Sequence, residues 1–115
     1  MAAAHQELGN LNVILDRNRI QNDDFCEAQM RMFDIPAKWK AFGWNVKEID
    51  GHNMQEVVEG MEYLSSTNNG PSILIAHTVK GHGVSFMADN PAFHGAAPND
   101  EQYAQAMAEL GEVVA

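Results

Sequence analysis

Asp16, Asn18 and Gln21 lie close together just after the apolar run Leu11-Asn12-Val13-Ile14-Leu15. Asp50 and His52 follow a second, more polar run that ends at Ile49. Lys80 and His82 lie shortly after a third run, Ile73-Leu74-Ile75-Ala76, and His94 comes further along the same stretch. These types suit one kind of chemistry. Mg²⁺ takes oxygen ligands in near-octahedral geometry, and a lysine neutralises phosphate as a point charge. An oxygen-rich loop beside a cation-bearing one therefore suits a metal-bridged diphosphate. On the residues alone, this indicates a phosphorylated ligand or a metal. Each piece also has a plainer reading. Asn18 after a strand can make an Asx-turn, Lys80 can be a solvated loop lysine, and His94 beside Gly95 can cap local backbone.

Strands must deliver these residues to one place. The apolar runs predict strands over residues 11–15, 45–49 and 73–76, and the last reads as a strand covered on both faces. Asp34 can cap a helix over 36–42, with Ile35, Trp39 and Phe42 on one face. Asn53 with Glu56 resembles a capping box for a helix over 54–64. In that helix Met54, Val57, Val58, Met61 and Leu64 recur at helical spacing. Asn99 begins a last helix over 100–109, with Tyr103, Met107, Leu110 and Val114 on one face. Residues 1–8 are helix-compatible without an N-cap, and Gly9-Asn10 is a helix stop. Residues 17–25 read as a polar loop, and 79–98 as a long loop of the kind that is usually functional or disordered.

Alternation of helices and strands means a parallel sheet with helices on its faces. The expected fold is therefore α/β, with about three parallel strands. In such sheets ligands bind beyond the carboxyl ends of the strands, and here that rim collects the residues above. Three strands leave edges and faces open, so a second copy or another chain is expected to cover them.

The chain has 115 residues, which limits it to one domain at most on this reading. A formal net charge of −9 argues against nucleic acid and anionic membranes as main partners. No apolar run reaches the length of a membrane span, and no signal peptide is visible. The one cysteine, Cys26, rules out an internal disulfide and fits a cytoplasmic location. His52 reads as a local turn residue and His77 as a satisfied buried imidazole. Trp39, Phe42 and Trp44 read as core or interface aromatics.

Asp16-Arg17-Asn18, followed by Ile20-Gln21, resembles the motif that closes the thiamine diphosphate site of transketolases. So do Thr78-Val79-Lys80-Gly81-His82-Gly83 and Phe93-His94-Gly95 in their order and spacing. The similarity runs from Ala2 to Leu110 and is strongest to the N-terminal subunit of split transketolases. It implies that Asn18 gives Mg²⁺ a side-chain oxygen and Ile20 a backbone carbonyl. It implies that Lys80 reaches the cofactor. It also implies a catalytic place for His94, against the diphosphate and the donor sugar. The family's Gly-Asp-Gly metal motif, upstream histidines and pyrimidine-binding domain have no counterpart in these residues, so a truncated domain is expected.

Two departures set the sequence apart from housekeeping members. Arg19 stands where many have Gly, and Asn22-Asp23-Asp24 replaces an Asp-Gly ending. The implied function is part of an enzyme that transfers two-carbon ketol units between sugar phosphates. It would use thiamine diphosphate and a divalent metal, work in a homo-oligomer or with complementary subunits, and be inactive as an isolated chain. The alternative is a non-catalytic interaction module or a remnant that keeps the fold without the chemistry.

Overall fold

The computed structural model describes residues 1–113; the expected place of Val114 on the last helix lies outside them. The described chain falls into two compact units. One comprises Met1–Arg17 with Met32–Thr78, the other Asn18–Arg31 with the chain from Val79 on.

The first unit holds a three-stranded sheet: β1 (Asn12–Arg17), β4 (Asn45–Asp50) and β5 (Ser72–His77). Their order is β1-β5-β4 and both pairings are parallel, as the sequence predicts. β5 is central because it alone is apolar on both faces. Ile73, Leu74 and Ile75 are essentially inaccessible, and burying each contributes about 1.5–3 kcal/mol. Ile73 and Ile75 join Ile35, with Val13, Leu15, Trp39, Trp44 and Val46 packed around them. Leu74 and Ala76 join Ile49 and Leu64 on the opposite face, against Val57 and Tyr63. Arg17, His77 and Asp50 are register partners, so the three carboxyl ends finish level.

Helices cover both faces of this sheet. The chain opens with α1 (Ala2–His5). Helix α3 (Ile35–Ala41) starts where the Asp34 side chain accepts the Ala37 amide at 2.8 Å. It lays Ile35 and Trp39 on the first face, where the Trp39 and Trp44 rings meet edge-on with centroids 4.7 Å apart. Helix α4 (Met54–Ser66) takes the second face. Asn53 Oδ1 accepts the amides of Gln55 and Glu56, and Glu56 Oε2 accepts the Asp50 amide at 2.7 Å. The cap therefore also fastens the helix to the end of β4.

The buried face of α4 differs from the expected stripe. Gly60 and Leu64 are buried, while Met54, Val58 and Met61 are exposed. Gly60 explains the choice: a Cβ there would stand 2.8 Å from a Leu74 methyl, so the helix sits down at its glycine. His77 is also not the buried imidazole expected; it is exposed and its Nε2 lies 2.8 Å from Glu48 Oε2.

The second unit contains a hairpin, β2 (Ile20–Gln21) against β3 (Asp24–Phe25), and the one-turn helix α2 (Cys26–Gln29). This corrects the loop expected over 17–25. Asn22, at φ +48°, opens the reverse turn, a conformation asparagine tolerates better than most side chains. The unit ends in α5 (Asp100–Val113). Asn99 and Gln102 cap its start reciprocally, amide to side-chain oxygen, at 2.9 and 3.0 Å. On the expected apolar face Tyr103, Met107 and Leu110 are exposed, whereas Ala106 is buried.

Candidate functional site

Asn18, Ile20, Lys80 and His94 all fall in the second unit. Asn18 is half-buried and forms an Asx-turn, its Oδ1 accepting the Ile20 amide at 3.0 Å. Between them Arg19 takes φ +66°, a left-handed backbone that favours glycine. Its carbonyl accepts the Cys26 amide at 2.8 Å. These bonds fold the segment into a tight corner ahead of β2.

Lys80 sits in a segment that bonds to itself. The amides of His82, Val84, Met87, Ala88 and Asn90 all find carbonyls within residues 79–90. The Asp89 amide returns to the Lys80 carbonyl at 2.9 Å and closes the loop at its base. Val84 is buried within it. Gly81 makes the closure possible: it takes φ +74°, and a Cβ there would stand 2.6 Å from the Met87 carbonyl oxygen. Residues 79–90 of the expected long loop are thus a series of self-bonded turns. A 3₁₀ turn, Pro91–Phe93, follows; its start is capped by Asn90, whose Oδ1 accepts the Ala92 amide. His94 ends that turn with its ring exposed. The turn packs against β3, and Phe86 supports Phe93 with ring centroids 5.4 Å apart.

Two residues outside the expected set connect the corner to the loop. Arg19 Nη2 lies 3.0 Å from Asp89 Oδ2, and Asp89 is itself bonded to the Lys80 backbone. The Asn18–Ile20 corner and the Lys80 loop are therefore one network. No hydrogen bond joins the side chains of Asn18, Lys80 and His94 to one another among the described residues. The other candidate residues are engaged locally. Asp16 accepts the Thr78 hydroxyl, and Asp50 accepts the His52 amide at 2.9 Å. Gln21 is exposed at the end of β2, and the backbone amide of His82 bonds to Val79.

The donor set fits a magnesium ion that arrives with phosphate oxygens and water. Asn18 Oδ1 keeps a second lone pair beyond the one Ile20 engages, and Ile20 adds a carbonyl. No group of three or more His, Cys, Asp and Glu residues that could hold a metal occurs among the described residues. Asn18 Oδ1 and the Ile20 carbonyl are both neutral oxygens. Lys80 is half-buried.

The first unit is a parallel α/β sheet with helices on both faces. The chain belongs to the transketolase family: residues 1–113 match the transketolase thiamine diphosphate binding domain. It is 38% identical over 112 residues to one of the subunits of the apulose-4-phosphate transketolase of Phocaeicola vulgatus, covering 97% of this chain and 40% of that one. It is 34% identical over 110 residues to the 6-deoxy-6-sulfo-D-fructose transketolase subunit SqwG of Clostridium sp. strain MSTE9, covering 96% and 40%. The chain thus spans about two fifths of the length of these relatives. The crystal structure of Campylobacter jejuni transketolase superimposes with a TM-score of 0.86 over 96% of this chain and 17% of that one; at 24% identity, this speaks for the fold alone. No helix among the described residues is long and apolar enough to cross a membrane.

Proposed function

We propose that the chain is the metal- and diphosphate-holding part of a transketolase-type enzyme that moves two-carbon ketol units between sugar phosphates. One observation carries the reading: the Arg19–Asp89 contact and the Asp89–Lys80 bond make a single network of the corner and the lysine loop. Asn18 and Ile20 would give oxygens to Mg²⁺, and Lys80 would neutralise the diphosphate. His94, exposed at the end of its 3₁₀ turn, would face the diphosphate and the donor sugar. Thiamine diphosphate, when bound, supplies the electron sink for breaking the carbon–carbon bond. The chain's own work is binding and orientation.

Complementary subunits supply the rest of the site in this proposal, in the cytoplasm, where a lone free cysteine such as Cys26 is at home. Two relatives are named as subunits and carry the names of anionic sugars, a sugar phosphate and a sulfo-sugar. Anionic ketoses are therefore the substrate class to test. Alone, the chain is inactive. Calorimetry with thiamine diphosphate and Mg²⁺ tests this. Binding that is weak for the chain alone, tightens with a complementary subunit, then disappears in Lys80→Ala supports the proposal. Equal heats from wild type and Lys80→Ala in that assembly would refute it. The second reading, an interaction module without chemistry, draws on the exposed apolar side chains Ile14, Met61, Tyr103 and Met107. Under it, association persists without any cofactor binding.

A further inference from the structure

We propose that the Arg19–Asp89 ion pair is a positioning clasp that sets the Asn18–Ile20 corner against the Lys80 loop; its consequence for cofactor binding rests on the function just proposed. Arg19 and Asp89 are separated by 70 positions in sequence, yet their charged atoms meet at 3.0 Å. Each sits on backbone in the left-handed region, at φ +66° and +55°. Such backbone suits glycine and, among side chains, asparagine and aspartate best, so local conformation tolerates Asp89 but does not recommend Arg19. What both gain is the contact. Arg19 stands directly between the two oxygen donors, Asn18 and Ile20. Asp89 holds the Lys80 carbonyl through its own amide. Pulling on either end therefore moves a donor corner or a lysine backbone.

Both side chains are partly exposed, at 53% and 39%. Exposed pairs add little to global stability. The clasp therefore acts on local placement, and its effect is electrostatic and screened by salt. A glycine at position 19 would relieve the backbone and lose the clasp together. Arginine marks a chain in which the corner is fixed from outside instead of being left free.

Hydrogen exchange of the full chain tests the clasp without any cofactor. Arg19→Gln and Asp89→Asn keep a polar, non-β-branched side chain at each position while removing one charge each. Each should speed exchange about threefold in both segments, 18–25 and 79–90, the scale an exposed pair commands. Salt at about 1 M should do the same to wild type. The charge-swapped double variant, Arg19→Asp with Asp89→Arg, should restore protection. Unchanged exchange, a rise in one segment only, or a swap that fails to restore would each overturn the clasp. The consequence is read with Mg²⁺ and thiamine diphosphate on the chain assembled with its complementary partner. The affinity should fall severalfold in the single variants and return in the swap. Raised exchange with unaltered affinity would overturn the positioning role. Wild type that never binds the cofactor would instead remove the proposed function, and exchange alone would then decide the clasp.

Discussion

Asn18 Oδ1 accepts the Ile20 amide at 3.0 Å, so the two residues proposed as magnesium donors share one Asx-turn. The side chain does two jobs with two lone pairs: one holds the turn and one is left for a ligand. Asn18→Ala should lose both. A single hydrogen bond of this kind is worth about 1 kcal/mol, so the chain should unfold slightly earlier in denaturant. Cofactor affinity in the assembled enzyme should drop by more than that, tenfold or so for each ~1.4 kcal/mol lost. Asn18→Asp keeps an acceptor for the Ile20 amide and should retain stability. Denaturant unfolding and calorimetry on the same two variants separate the turn from the ligand.

Gly81 should be the least replaceable residue in the lysine loop. Its φ of +74° already disfavours a side chain, and an added Cβ would meet the Met87 carbonyl at 2.6 Å. The obstacle is backbone and cannot rotate away. Gly81→Ala should therefore destabilise by more than about 1 kcal/mol. Gly95 shares the positive φ but has nothing within 4 Å of its added Cβ. Gly95→Ala should thus cost only the backbone strain. Comparing the two unfolding midpoints checks the assignment of the clash.

The strands and caps are legible in the sequence because each carries a local signal. An unbroken apolar stretch marks β5, and Asp34, Asn53 and Asn99 stand where a side-chain oxygen can meet free amides. Asn18, Lys80 and His94 emerge through the motif resemblance, since each taken alone also has an ordinary loop reading. The hairpin β2–β3 is hard to read because Ile20 and Phe25 are isolated apolar residues in a polar stretch, although Asn22-Asp23 between them is a turn signal. The apolar stripe of α4 misleads because it is wider than the helix's contact; only the sheet reveals that Gly60 sets the approach. Arg19 and Asp89 are invisible as a pair. Nothing local in either residue announces a partner 70 positions away.

Association should follow from β1. Ile14 is the register partner of Leu74, which is 1% exposed, yet Ile14 itself is 55% exposed. β1 also forms one edge of the three-stranded sheet. An apolar side chain on an open strand edge invites a further partner. Light scattering should show a dimer or larger species for the chain by itself. Ile14→Lys should shift it toward monomer without unfolding it, because no core contact is lost. A monodisperse wild-type monomer at high concentration would contradict this expectation.

The docking of the Ser85 segment on α5 should weaken in acid, through Glu109. Its carboxylate accepts the Ser85 hydroxyl and the Ser85 amide, both at 2.6 Å, and the Gln105 side-chain amide at 2.7 Å. Those bonds favour the charged form in that order and hold the carboxyl below its ordinary value of 4.5, against a smaller opposing effect of burial. A carboxyl depressed in the folded chain binds its proton less readily there than when unfolded. Its contribution is therefore complete above the ordinary value and is lost as pH falls through the depressed one. Exchange of the Ser85 amide should be flat from neutral pH down to that point, after correction for intrinsic rate, and then rise. Glu109→Gln cannot titrate, so its corrected exchange should be raised already at neutral pH and show no such step. Ser85→Ala removes the hydroxyl but leaves the amide, and should move the step toward the ordinary glutamate value without abolishing it. A step of the same size and position in Glu109→Gln would assign the acid response to another carboxylate.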